Sequence, residues 1–281
     1  MHIGIRLHDT REGTLDQRLH AAREQGFSCA HLAMSKVCPG FAMDQAPALL
    51  TEELAKEVRS AFRTENMECA VLGCYLKLAE PNEEKRAHIR AVYRAHFRFA
   101  RLISARVVGS ETPAAPGMAF ADPAPVSEEA FQFFVKCLKP VVRDAEEEGA
   151  VFAIEPVFSH IVSTPERAER MLEMIPSENL QIILDAVNLL GPETVSKADE
   201  IVQDAISRLG DRVRILHLKD HLPPQLGDTS LTCCACGLGQ MRYEKLLKFG
   251  KEKDLPMTLE NTRPENAENA RLYLENLALT L

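Results

Sequence analysis

The sequence predicts an α/β chain folded as one (β/α)8 TIM barrel over residues 1 to 281, and three observations predict it. Eight short β-like runs alternate with eight amphipathic stretches, which calls for parallel strands joined by right-handed crossovers. No Gly-rich fingerprint follows the first run, where "RLHDTREGT" holds only Gly13, so an open doubly wound sheet lacks its usual signature. Four of the later runs close on an acid or a histidine, where a barrel has its C-terminal mouth.

Taken in order, "HIGIRL" precedes a helical pattern over 14 to 25, and "SCAHLAM" one over about 51 to 65. "MECAVLG" precedes a long helix from about 82 to 103, and "ARVVGS" another over about 127 to 148. "AVFAIE" leads to a helix near 165 to 174, and "LQIILD" to one near 196 to 209. "VRILHL" leads to a helix near 240 to 250, and "PMTLE" to the last, from about 264 to 279. Ser127 before Glu128 and Glu129, Thr164 before Pro165, and Pro264 at the opening of the last helix are the matching start signals. The Pro/Ala-rich "TPAAPGMAFADPAP" at 112 to 125 reads as a long loop on the C-terminal face.

A hydrophobic content of 46% supplies a large core, and a formal charge of -8 argues against a nucleic-acid or anionic-membrane footprint. No run reaches the roughly 18 apolar residues that span a bilayer, and "MHIGIRLHDT" lacks the layout of a signal peptide. The eight cysteines then read as reduced thiols in a cytoplasmic protein. In "CCACG", Cys233, Cys234 and Cys236 have no fourth ligand near them, so the stretch reads as a thiol-bearing rim loop rather than a zinc knuckle.

The chemistry lies at the strand ends. Strand five ends at Glu155, six at Asp185, seven at His217 and eight at Glu260. Strand alternation puts Val151 and Ala153 on the face of Glu155, Ile183 with Asp185, Ile215 with His217, and Thr258 with Glu260. If those faces point inward, three carboxylates and an imidazole converge. Carboxylates so packed repel one another, and a divalent cation resolves the conflict. An oxygen-rich set favours Mn2+ or Mg2+, with Zn2+ or Co2+ as alternatives.

"AIEP", "ILDAVN", "HLKD" followed by "GLGQMRYEKLL", and "TLEN" occur in the order in which the sugar phosphate isomerase/epimerase superfamily carries such stretches. The chain resembles that superfamily, the xylose isomerase-like TIM barrels, over essentially its whole length. The resemblance implies one divalent metal on Glu155, Asp185, His217 and Glu260, with Glu155 and Glu260 also moving the proton through an enediolate. It implies an isomerase or epimerase of a sugar, sugar phosphate or keto-polyol. Inosose dehydratase, in the same superfamily, supplies the alternative of a lyase, and a third reading is a non-catalytic sugar-binding barrel.

The sequence departs from the ketose 3-epimerases. It has "EPVFSHI" where they carry a second glutamate, Asn188 in place of a histidine, and "HLPP" in place of a substrate-positioning arginine. Endonuclease IV, a more distant relative, needs extra strand-end histidines for a trinuclear zinc cluster, and this sequence offers none to match them. Around the four strand ends, His8, Tyr75, Glu111, Asn188 and Lys219 are the expected substrate contacts, with Arg6, Lys77 and His160 as further candidates. Lys219 shares parity with His217 and is placed to stabilise an oxyanion, whereas Asp220 points the other way. The expected partner is a small-molecule carbohydrate, with no nucleic acid and no membrane, and the apolar "RLYLENLALTL" is consistent with a homo-oligomer.

Overall fold

The computed structural model describes residues 1–113 and 127–281, so the loop expected at 112 to 125 lies outside the described residues from 114 onward. Eight strands close a parallel barrel: β1 (His2–Arg6), β2 (Cys29–Leu32), β3 (Glu68–Gly73), β4 (Val107–Ser110), β5 (Phe152–Ile154), β6 (Leu180–Asp185), β7 (Val213–Leu218) and β10 (Pro256–Leu259). Their order round the barrel is β1-β10-β7-β6-β5-β4-β3-β2, so each strand follows its predecessor and β10 closes on β1.

The helices are α1 (Leu15–Glu24), α2 (Met34–Val37), α3 (Ala46–Leu49), α4 (Glu52–Thr64), α5 (Glu83–Ile103), α6 (Glu128–Glu148), α7 (Pro165–Met174), α8 (Ala198–Leu209), α9 (Glu244–Glu252) and α10 (Ala267–Ala278). Side-chain caps fix several starts. Thr14 and Gln17 form a capping box, and Ser127 and Thr164 accept from the backbone N–H groups of Ala130 and Arg167. Such a cap is worth about 1 kcal/mol. The last helix begins at Ala267 rather than at Pro264. Arg263 donates its N–H to Asn266 Oδ1 while its carbonyl accepts from Asn266 and Ala267, so a side-chain-closed turn occupies those residues first.

Two apolar layers follow from strand alternation. Cys29, Ala70, Val71, Val107, Ala153, Ile183 and Ile215 cluster together, while a much larger cluster packs strands against helices. Ala153, Ile183 and Ile215 share that small cluster and carry the same parity as Glu155, Asp185 and His217, as the sequence predicts. Beyond β7 the chain forms an antiparallel ribbon, β8 (Asp220–His221) with β9 (Cys233–Cys234), in place of a plain loop. Asp220 organises it by accepting from the N–H groups of His221, Gly237 and Met241. Among the described residues, no helix is long and apolar enough to cross a membrane.

Candidate metal centre

The four strand-end groups meet at the mouth. β6 and β7 pair with Asp185 opposite His217, and β10 pairs with β7 with Thr258 opposite His217. Glu155 and Glu260 follow the last residues of β5 and β10, and each is anchored by its own N–H, to Ser110 O and Leu218 O respectively. His217 Nδ1 lies 3.1 Å from Glu155 Oε2 and 3.1 Å from Glu260 Oε1. Lys219 Nζ lies 2.9 Å from Asp185 Oδ2 and 3.3 Å from Glu260 Oε2. All five residues are at most 6% exposed.

The charges explain one another. Burial opposes a proton on His217, but Glu155 and Glu260 outweigh it and lift its pKa to about 9. Burial likewise opposes charge on Glu260, and His217, Lys219 and Arg6 together still hold it well below the carboxylate range. For Asp185 burial wins over Lys219 and raises the pKa. Lys219, buried as it is, stays charged because Asp185, Glu260 and Glu155 surround it.

A divalent cation fits this donor set. Oxygen and imidazole donors from Glu155, Asp185 and His217 lie within 4.8 Å of one another. The distances around His217 and Asp185 Oδ2 are those of ion pairs, yet the alignment is not that of hydrogen bonds: both His217 nitrogens and Asp185 Oδ2 are buried with no hydrogen-bond partner among the described residues. Groups so buried and unaligned are costly, and a cation among them would remove that cost. Asn188 braces the set, donating from Nδ2 to Glu155 Oε1 at 2.6 Å and from its backbone N–H to Asp185 Oδ1 at 3.0 Å.

A cavity of about 550 Å³ opens over the centre, and His8, Tyr75, Glu111, His160, Asn188 and Lys219 are among its lining residues. A groove of similar volume, about 560 Å³, runs along α5 and α6, but no residue predicted for the site lines it. Glu111 sits on the cavity wall 3.6 Å from His160 Nδ1, and burial, then Glu155 and Glu260, push its pKa up to about 8. Burial brings His160 down to about 4. His8 is lowered as well, by burial and then Arg6. Lys77 is exposed and does not line the cavity.

Two further residues, Arg6 and His31, meet the centre through contacts across the barrel. Arg6 lines the cavity and faces Glu260 Oε2 with NH1 at 3.3 Å while its Nε donates to Asp9 Oδ2 at 3.0 Å. His31, from β2, stacks on His217 with ring centroids 5.4 Å apart and planes 16° apart. His31 was not among the candidates that the sequence singled out. The available signal was a histidine inside the apolar run "SCAHLAM", on the same strand face as Cys29.

No curated protein matches the chain. Several solved structures share its fold. The E. coli 3-keto-D-glucoside 4-epimerase YcjR, in its apo form, has a TM-score of 0.74 at 16% identity, covering 98% of this chain and 99% of that one. The IOLI protein with a bound zinc atom gives 0.70 at 17%, over 100% and 97%. The probable 3-DHS dehydratase AsbF of Bacillus anthracis, involved in petrobactin synthesis, gives 0.72 at 12%, over 100% and 99%. The family model for the xylose isomerase-like TIM barrel matches residues 19–279, and the chain belongs to that family.

Proposed function

We propose that the protein is a divalent-metal-dependent isomerase or epimerase of a sugar, sugar phosphate or keto-polyol, acting by proton transfer through an enediolate. The observation that carries this reading is the pair Glu155 and Glu260, each with a carboxylate oxygen 3.1 Å from His217 Nδ1 beneath an open cavity. Glu155, Asp185, His217 and Glu260 would hold the ion, with Mn2+ or Mg2+ favoured by the oxygen donors and Zn2+ or Co2+ as alternatives. Bound there, it supplies the Lewis acidity that makes a C–H beside a carbonyl and hydroxyl acidic.

The protein's own groups do the rest. One of Glu155 and Glu260 removes the carbon-bound proton, and the other, or the same one, returns it. Lys219, charged and 5% exposed, stabilises negative charge developing on the substrate oxygen. His8, Tyr75, Glu111 and Asn188 offer hydrogen bonds to hydroxyls within the cavity. A carbohydrate is the partner in this reading, and a cytoplasmic setting agrees with free thiols at all eight cysteines. The likeness in fold to a sugar epimerase and to a zinc-holding protein supports it.

One observation favours a lyase as the second reading. Glu111 lies on the cavity wall 3.6 Å from His160 Nδ1, its pKa pushed up chiefly by burial, and is placed to protonate a departing hydroxyl after the same enediolate forms. The experiment is a panel of ketoses, inososes and keto-acids incubated in D2O with metal-loaded protein. Deuterium in recovered or epimerised substrate supports the first reading, and an absorbing conjugated product supports the second. No exchange and no product across the panel, with metal content unchanged in Glu155→Gln and His217→Ala, would remove both.

A further inference from the structure

We propose that His31 is a fifth protein ligand of the same cation, an assignment that rests on the metal-dependent reading above. In the barrel order β2 is separated from β7 by β1 and β10, yet the His31 ring reaches the His217 ring. One donor atom each from His31, His217 and Glu260 lie within 4.8 Å of one another, the same spacing that unites Glu155, Asp185 and His217. The two triads share His217, and Glu260 lies as close to His217 Nδ1 as Glu155 does. They therefore adjoin at the His217 ring, where one ion drawn between them would take donors from both. A second dication beside it is disfavoured, because Arg6 and Lys219 already face Glu260 Oε2 at 3.3 Å each.

The surroundings of His31 are those of a ligand held from behind. The Tyr75 hydroxyl lies 3.4 Å from Nε2, and when it accepts from Nε2–H the lone pair falls on Nδ1. Nδ1 is buried and has no hydrogen-bond partner among the described residues. A ligating histidine commonly donates its other N–H to such an outer partner, which fixes its tautomer and ring angle. Gly73 makes the space: a Cβ there would lie 2.7 Å from His31 Nε2 and 2.8 Å from Tyr75 Cε2. The glycine thus serves these two rings together.

The consequence concerns metal choice. Two imidazoles with three carboxylates make a more nitrogen-rich site than the four strand-end groups alone, and nitrogen donors favour Zn2+ and Co2+ over Mg2+. The Mn2+ or Mg2+ preference drawn from the oxygen-rich set then shifts toward Zn2+ or Co2+.

The test is titration of chelator-stripped full-length protein with CoCl2 alone, following affinity and the visible absorption of the bound ion. Wild type, His31→Phe, which keeps a ring to stack on His217, and His217→Ala are compared. We expect His31→Phe to weaken binding on the order of 100-fold and to change the Co2+ spectrum, against the 10- to 100-fold typical of outer partners alone. Equal affinity and an unchanged spectrum in His31→Phe, with binding lost in His217→Ala, overturn the His31 assignment and leave the four-residue site standing. Absence of saturable Co2+ binding by wild type overturns both readings. X-ray absorption of the Zn2+-loaded wild type needs no variant and covers the case of a misfolded His31→Phe: two imidazoles support the assignment and one overturns it.

Discussion

Lys219 Nζ sits 2.9 Å from Asp185 Oδ2, and the same ammonium lies 3.3 Å from Glu260 Oε2. A buried lysine thus bridges two of the carboxylates proposed to hold a divalent ion. Asp185, Glu155 and Glu260 are mutually repulsive, and without added metal the compensating positive charge comes from Lys219, from a proton on His217 and from Arg6. Lys219 is then a structural counter-charge that also lines the cavity, where the proposed function gives it the substrate oxygen to stabilise.

Removing it separates those roles. Lys219→Met leaves buried carboxylates uncompensated, which is expected to cost about 3–5 kcal/mol in chelator-treated protein. Saturating Zn2+ supplies the missing charge, so the gap to wild type narrows when unfolding is measured by urea with metal present. Proton exchange with substrate still falls, because Zn2+ does not replace the oxyanion contact. An equal stability gap with and without Zn2+ would contradict the bridging role.

Asn188 is expected to act through the acids it touches. Its Nδ2 donates to Glu155 Oε1 at 2.6 Å, and its backbone N–H donates to Asp185 Oδ1. Asn188→Ala removes only the first bond and should lower metal affinity about 10- to 100-fold, as loss of an outer partner does. Isothermal titration with Zn2+ reads it. Asn188→Asp should be worse than Asn188→Ala, since it adds a fourth carboxylate to the cluster.

The barrel was legible because period-two apolar runs and amphipathic helices alternate without interruption, and each of the eight runs became a strand at nearly its expected bounds. Glu155, Asp185, His217 and Glu260 were legible because parity within one strand decides which side chain faces inward. His31 and Arg6 were harder to place. Their roles depend on contacts across the barrel, His31 with His217 and Arg6 with Glu260, which no within-strand pattern encodes. The β8–β9 ribbon was hidden for a similar reason: it is closed by one side chain, Asp220, accepting from Gly237 and Met241 far along the chain.

Outside the site, Asp144 ties α6 to α5. It is 1% exposed and accepts from Arg90 Nε at 2.5 Å and from Arg94 NH1 at 3.2 Å. Both arginines are nearly half exposed, so their charges are largely screened by water and remain solvated if the acid is lost. Asp144→Ala is therefore expected to cost only about 1 kcal/mol in urea unfolding, the net worth of hydrogen bonds whose donors water takes over, and to leave metal affinity unchanged.

A pH dependence of stability should arise at His96, on α5. The ring is fully buried, Nδ1–H donates to Val92 O at 2.8 Å, and Nε2 has no partner among the described residues. Burial lowers its pKa from 6.5 to about 4, against the smaller opposing effect of the Val92 bond. Above pH 6.5 the ring is neutral in both the folded and unfolded chain and contributes nothing to the slope. Between 6.5 and about 4 the unfolded chain takes up a proton that the folded one refuses, so stability falls as the pH falls. A depression of that size corresponds to about 3 kcal/mol across the window. His96→Leu keeps the apolar volume and has nothing to titrate. Urea midpoints at pH 7 and pH 4.5 should therefore drop less in His96→Leu than in wild type, and parallel drops in the two proteins would assign the acid sensitivity to other groups.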